Sequence, residues 1–269
     1  MVIKGSLMNR LSPLTALIRL TLIEAWRGRS ARLLLLFLAA VYALGAFAAS
    51  MAVTEGQETR LALAAHLYRL GLVLALALIV VSSTVRDMEG GFFQVLLAFP
   101  LSRAQFVVGR QAGYMLLAAL AAAGTTGVML TMAVPGGRGG VLAWGASLAL
   151  ELSIVAAAAL FFSLGLRRVL PAYAACCAFY LWARLLDVAR FMAAHPVGQD
   201  ASSWDVVAGR ATFELLGWLL PPLASFAPSP WALGGTVQGT LLALQLGWTL
   251  WYATLCAVAS LIDLYRREV

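Results

Sequence analysis

Residues 63–85 read LAAHLYRLGLVLALALIVVSSTV, and Arg69 is the only formally charged residue among them. A helix needs about 20 mostly apolar residues to cross the hydrocarbon of a bilayer, so this stretch reads as a transmembrane span. Similar stretches lie near 33–53, 106–133, 141–165, 170–192 and 238–262. Whole-chain composition agrees: of 269 residues, 62% are hydrophobic and 12% charged. A soluble domain carries roughly a quarter charged residues, so lipid must cover much of this exterior. The expectation is an all-α membrane protein, one domain over 1–269, with six transmembrane helices.

The formal net charge of +7 does not point to nucleic acid. The bases are scattered between apolar runs, and the only lysine is Lys4. Arginines at span ends beside anionic headgroups explain the charge better. With the N-terminus inside, cytoplasmic segments hold thirteen of the 19 Lys and Arg, and the opposite side or the outer half of spans holds six. That asymmetry places both termini in the cytoplasm, in keeping with an even number of spans. The first span follows Arg29 and Arg32 and ends in Ala48-Ala49-Ser50, small residues of the kind that end a signal peptide. Its apolar run is too long and the segment before it exceeds thirty residues, so a retained span is expected.

Two segments are neither spans nor ordinary loops. Residues 7–28 carry Leu11, Leu14, Ile18, Leu22 and Ala25 at helical spacing, which predicts a helix lying in the cytoplasmic interface; Leu17, Leu20 and Ile23 fall off that stripe. Residues 193–237 are extracytoplasmic by topology. Their apolar patch from Phe213 to Leu220 is too short to span and is stopped by Pro221-Pro222. Such half-length segments dip into the interface or re-enter against neighbouring helices, so short re-entrant or interfacial helices are expected before span six.

Several chemistries are excluded. A Walker A loop needs G-x-x-x-x-G-K-[ST], and no such loop surrounds Lys4. H-E-x-x-H, G-x-S-x-G and C-x-x-C are absent, and His66 and His195 lie at the outer ends of different spans. Cys176 and Cys177 are adjacent, so on a helix they point about 100° apart, which is poor geometry for one metal ion. No catalytic residue, metal site or cofactor is expected in this chain.

The distinctive segment joins spans two and three, from Arg86-Asp87-Met88-Glu89-Gly90-Gly91 through Leu96-Leu97-Ala98-Phe99-Pro100-Leu101-Ser102-Arg103 to Gly109-Arg110. It is charged at its ends and apolar in the middle. An acidic pair and glycine open a short helix, Pro100 stops it, and Arg103 and Arg110 mark re-entry into the membrane. Apolar residues held at the cytoplasmic surface need a protein groove or the lipid interface to cover them.

This pattern resembles the permease subunits of type-two ABC exporters, and among them the small six-span permeases of the kind found in nitrous oxide reductase maturation. Their usual form is close to R-E-x-E-x-G-T-L-E-x-L-L-A-x-P-[VIL]-S-R, followed by G-K. Arg86, Glu89, Gly91, Leu96, Leu97, Pro100, Arg103 and Gly109 match, while Phe92, Gln94 and Arg110 replace the usual Thr, Glu and Lys. The resemblance implies that residues 86–103 are a coupling helix docking on a separate cytoplasmic ABC ATPase, which binds ATP and Mg. It makes Arg86, Asp87, Glu89, Gly91, Leu96, Leu97, Pro100 and Arg103 the ATPase-coupling residues, with the Arg167-Arg168 turn as a second contact. It also implies a homodimer, or a heterodimer with a similar permease, in the bacterial inner membrane, with a periplasmic accessory protein as a further partner. A haem-exporter-like permease of cytochrome maturation shares this architecture. A membrane-embedded hydrolase or a non-transporting scaffold are the alternatives from other classes.

Charges inside spans are costly and tend to face a cavity or a partner. Glu151 lies about ten residues into span four, Arg69 in the outer half of span two, and Arg184, Asp187 and Arg190 at three-residue steps in the outer part of span five. Glu151 is expected to be neutralised by Arg184 or Arg69. Arg69, Glu151, Arg184 and Asp187 either border a translocation pathway or lock the bundle.

Overall fold

The computed structural model describes residues 13–27, 29–51, 56–90, 102–133, 136–194 and 204–266. All regular structure in these residues is helical, with no strand among them. The helices are α1 (Pro13–Arg27), α2 (Arg29–Met51), α3 (Gly56–Glu89), α4 (Arg103–Met132), α5 (Arg138–Leu166), α6 (Val169–Ala194), α7 (Trp204–Leu219), α8 (Ser229–Ala232) and α9 (Gly239–Arg266). A single 3₁₀ turn, Leu223–Ser225, lies between α7 and α8.

Among the described residues, five helices are long and apolar enough to cross a membrane: α3, α4, α5, α6 and α9. The 23-residue α2 covers the first expected span, and its described apolar side chains run from Leu36 to Phe47. The chain is thus a multi-pass α-helical membrane protein by the length and composition of its helices.

α5 is the axis of the bundle. It packs against α3, α4, α6, α8 and α9, and Glu151 through Leu160 are all buried. A helix that is apolar all round belongs inside a bundle. In lipid no hydrophobic gain drives helices together, so close backbone approach and packing must do it. The run Ala156–Ala159 provides small side chains for that approach, and Gly140 lies so close to α8 that a Cβ would overlap the Trp231 carbonyl oxygen. Helix ends are set locally. Ser102 caps α4 in a reciprocal box: its Oγ accepts from Gln105 N at 3.2 Å and its N donates to Gln105 Oε1 at 3.1 Å. α5 ends at Arg167, which takes the left-handed conformation (φ 52°) and donates its N–H to Ser163 O.

α1 packs against α4, with Leu17 and Thr21 buried. Ile18 and Leu22, on the expected stripe, are half-buried beside this contact. On the facing helix, Gly113 leaves room for Thr21, whose Cβ would sit 2.9 Å from a Cβ added there. The contact face of α1 is set by that gap and by an arginine that attracts Glu24. Of the segment expected to be a coupling helix, residues 91–101 lie outside the described residues.

Candidate functional site

Two charge nodes share α3, one near its middle and one in its last turns. The first centres on Glu151 of α5, which is fully buried. Arg69 of α3 reaches it from one side: Nε and Nη2 donate to Glu151 Oε1 at 3.0 and 2.8 Å. Oε2 is also 2.8 Å from Nε but off the N–H axis, so charge rather than a hydrogen bond holds it. Tyr180 of α6 donates its hydroxyl to Oε1 at 3.1 Å. Arg184, one turn along the same helix, stands at 3.7 Å. The structure thus brings Arg69, Glu151 and Arg184 together, as their places in the spans suggested.

The rest of this node is backbone. The chain between α7 and α8 folds in against the bundle, with Leu223, Phe226 and Ala227 buried. Arg69 donates to Leu223 O at 3.0 Å and to Ala227 O at 3.2 Å, and Arg184 donates to Leu223 O at 3.0 Å. Ser147 Oγ accepts the Ala227 N–H at 2.7 Å, and Gln245 of α9 donates to Ser225 O at 2.7 Å. Irregular backbone is tolerated at membrane depth only where protein satisfies its polar groups, and these five bonds do so. Ala227 adopts φ 43°, a left-handed conformation for a residue with a Cβ, and is held on both its N–H and C=O sides.

The second node centres on Arg110 of α4, of which 1% is exposed. Its Nη1 donates to Glu24 of α1 at 3.0 Å and to Thr21 at 3.3 Å; its Nη2 donates to Ser83 at 3.2 Å, Tyr114 at 2.8 Å and Asp87. The guanidinium also lies 5.1 Å from the Tyr114 ring centroid. Tyr114 OH is shared with Thr84 at 3.2 Å. Three helices, α1, α3 and α4, therefore meet on one arginine.

The other expected residues are distributed as follows. Arg86 and Glu89 are exposed at the end of α3, and Arg167 and Arg168 are exposed between α5 and α6. Asp87 turns inward to Arg110. Arg103 Nη1 donates to Leu264 O of α9 at 2.8 Å and its guanidinium lies 5.5 Å from the Tyr265 ring centroid, so it ties the first turn of α4 to the last turn of α9. Gly91, Leu96, Leu97 and Pro100 lie outside the described residues, as does His195. Asp187 does not join Glu151; it pairs with Arg190 at 3.8 Å.

His66 is exposed; its Nδ1 is 2.8 Å from Ala62 O. The three cysteines are free, and no cluster of metal-ligating residues occurs among the described residues. Glu24, Ser147, Tyr180 and Gln245 were not singled out by sequence. The signal available was the presence of Ser147 and Gln245 inside apolar runs, where a polar side chain needs a partner. Neither protein-family models nor curated proteins match the chain.

Proposed function

We propose that this chain is the six-span permease subunit of an ATP-driven exporter, with α2 as its first span. The observation that carries the reading is α3. One unbroken helix holds Arg69 in one node and Ser83 and Asp87 in the other, 18 residues or about 27 Å apart at 1.5 Å per residue. It leads directly into the segment whose sequence resembles a coupling helix. Movement imposed on that segment would be passed along α3, through Arg69, to the folded-in chain at 220–228. Successive antiparallel helices would put Arg86, Glu89, Arg167 and Arg168 on one face, where a separate ATPase binding ATP and Mg would dock.

In this reading both termini lie in the cytoplasm of a bacterium, two permease copies (or this chain and a similar one) form the pathway, and Arg69, Glu151, Arg184 and Asp187 border it. The chain performs no covalent chemistry of its own. Energy enters from the ATPase, and alternation of the bundle moves the substrate.

The test is to co-express the chain with an ATPase lacking membrane spans that is encoded beside it, and to measure ATP hydrolysis by the co-purified complex. Glu89→Arg reverses an exposed charge and is expected to reduce hydrolysis about tenfold or more without changing thermal stability, as charge reversal at a docking face costs on the order of 1–2 kcal/mol. Arg167→Gly removes a second charge while suiting the left-handed position it occupies, and is expected to act in the same direction. Failure of any such ATPase to co-purify, or unchanged hydrolysis by the complex in both variants, would sink the permease reading.

A further inference from the structure

The Glu151 node contains two guanidiniums and one carboxylate, and an arginine stays protonated. One positive charge is therefore left over, and the geometry shows which residue carries it. Arg69 is buried and spends its donors on Glu151, Leu223 O and Ala227 O. Arg184 stands 3.7 Å from the carboxylate, makes a single hydrogen bond among the described residues, to Leu223 O, and leaves its side chain 32% exposed. Its remaining donors have no partner among the described residues.

Its position makes that exposure costly. Arg184 lies eight residues before Met192, the end of the apolar part of α6, about 12 Å inside it at 1.5 Å per residue. Leu181 and Val188, three residues before and four after, share its helix face and are exposed at 53% and 55%. A guanidinium with free donors in such an apolar border needs an anion. Among the described residues the two acids nearest to it are already engaged: Glu151 accepts from Arg69 and Tyr180, and Asp187 pairs with Arg190 at 3.8 Å.

We propose that Arg184 and the exposed face of α6 around it bind an anionic amphiphile, with a phosphate or carboxylate head on the guanidinium and an apolar tail along Leu181 and Val188. A charged head matches the surplus charge; an apolar tail matches the border. Arg is suited to the head because its planar fork donates two parallel bonds to phosphate or carboxylate. Tyr180 and Glu151 keep Arg69 out of this contact, so the site has one cationic anchor and takes one anionic group at a time. The site does not depend on the permease reading and would exist equally in a scaffold.

The experiment uses the full chain purified in a neutral maltoside detergent, with binding followed by microscale thermophoresis. The probes are dodecyl phosphate, dodecyltrimethylammonium and inorganic phosphate. Dodecyl phosphate is expected to bind saturably, with little binding of the cationic amphiphile or of phosphate alone. Arg184→Gln is expected to weaken dodecyl phosphate about tenfold or more, as loss of a charge-assisted contact should, and Arg184→Lys to keep most of it. Arg138→Gln, at an exposed arginine on α5, controls for general charge and is expected to bind as the unaltered chain does. Arg184→Gln should fold, since Arg69 also donates to Leu223 O, and its thermal midpoint reports this. Equal affinity in Arg184→Gln and the unaltered chain overturns the site. Tight binding of inorganic phosphate alone overturns the amphiphile. ATPase activity enters neither readout, so loss of the permease reading and loss of this site are told apart.

Discussion

The two charge nodes are built with opposite signs. At one, a single acid is central and two arginines surround it; at the other, a single arginine is central and two acids surround it. They also differ in what the outer ions can fall back on. The central pair Glu151–Arg69 has side chains 0% and 7% exposed, and its remaining acceptors are carbonyls of the folded-in chain. Around Arg110, the side chains of Glu24 and Asp87 keep 35% and 18% of their exposure, and the other partners are hydroxyls. The Glu151–Arg69 pair at the first centre is sealed, with only Arg184 open at its edge, whereas both acids around Arg110 border solvent or headgroups. Breaking a sealed pair strands a charge, whereas breaking a bordering one lets the acids turn outward.

This difference ranks the consequences of removing each centre. Glu151→Leu leaves Arg69 buried with two carbonyl partners, and is expected to cost about 3–5 kcal/mol, or to prevent the chain from accumulating. The double variant Arg69→Met, Glu151→Leu removes both charges and is expected to recover more than half of that loss, read as unfolding of the purified chain in mixed micelles. A double variant as unstable as Glu151→Leu would show that the pair's contribution lies elsewhere than in mutual neutralisation.

Arg110→Met is expected to cost less, about 1–3 kcal/mol. Methionine fills the space of the stem. Thr21 already donates to its own helix at Leu17 O and Tyr114 keeps Thr84, so few groups are orphaned. The same unfolding measurement decides, and the contrast collapses if Arg110→Met proves as damaging as Glu151→Leu. A separate sign of the difference is location. Hydrogen exchange should rise across 220–228 in Glu151→Leu and across α1 in Arg110→Met.

The helices and the sealed node were largely legible in the sequence, and the second node was not. Residues 63–85 and 141–165 announce their helices because lipid requires long, nearly uncharged runs; α5 extends past its run by three residues and one, while α3 adds about two turns before its run and one after. Glu151 announced a partner because an acid in such a run needs one. Asp187 shares a three-residue step with Arg190 as well as with Arg184, and it is with Arg190 that it pairs. Arg110 had been placed at the re-entry into the membrane. Its partner Glu24 lies 86 residues away on α1, a separation that no local pattern encodes. The folded-in chain at 220–228 was expected to dip or re-enter, but its contribution to the Glu151 node is two backbone carbonyls, and a carbonyl has no sequence signature. α1 shows the same limit: its contact with α4 through Leu17, Thr21 and Glu24 is set by Gly113 and Arg110, which spacing within α1 does not encode.

The smallest effect belongs to Ala227, where the sealed node meets strained backbone. Its φ of 43° is one that glycine adopts freely and alanine does not, at a cost of roughly 1–2 kcal/mol. Its methyl is 1% exposed, and removing one buried carbon forfeits about 0.8 kcal/mol. Ala227→Gly also gives the unfolded chain more freedom, worth about 0.4–1 kcal/mol against folding. These opposing contributions nearly cancel, so the expected change in unfolding free energy is within about 0.5 kcal/mol. The backbone bonds to Ser147 and Arg69 do not involve the methyl and should survive, leaving exchange across 220–228 unchanged. If Ala227→Gly instead loosens that stretch as Glu151→Leu does, the side chain rather than the N–H and C=O anchors holds it, and the sealed node is a packing contact before it is an electrostatic one.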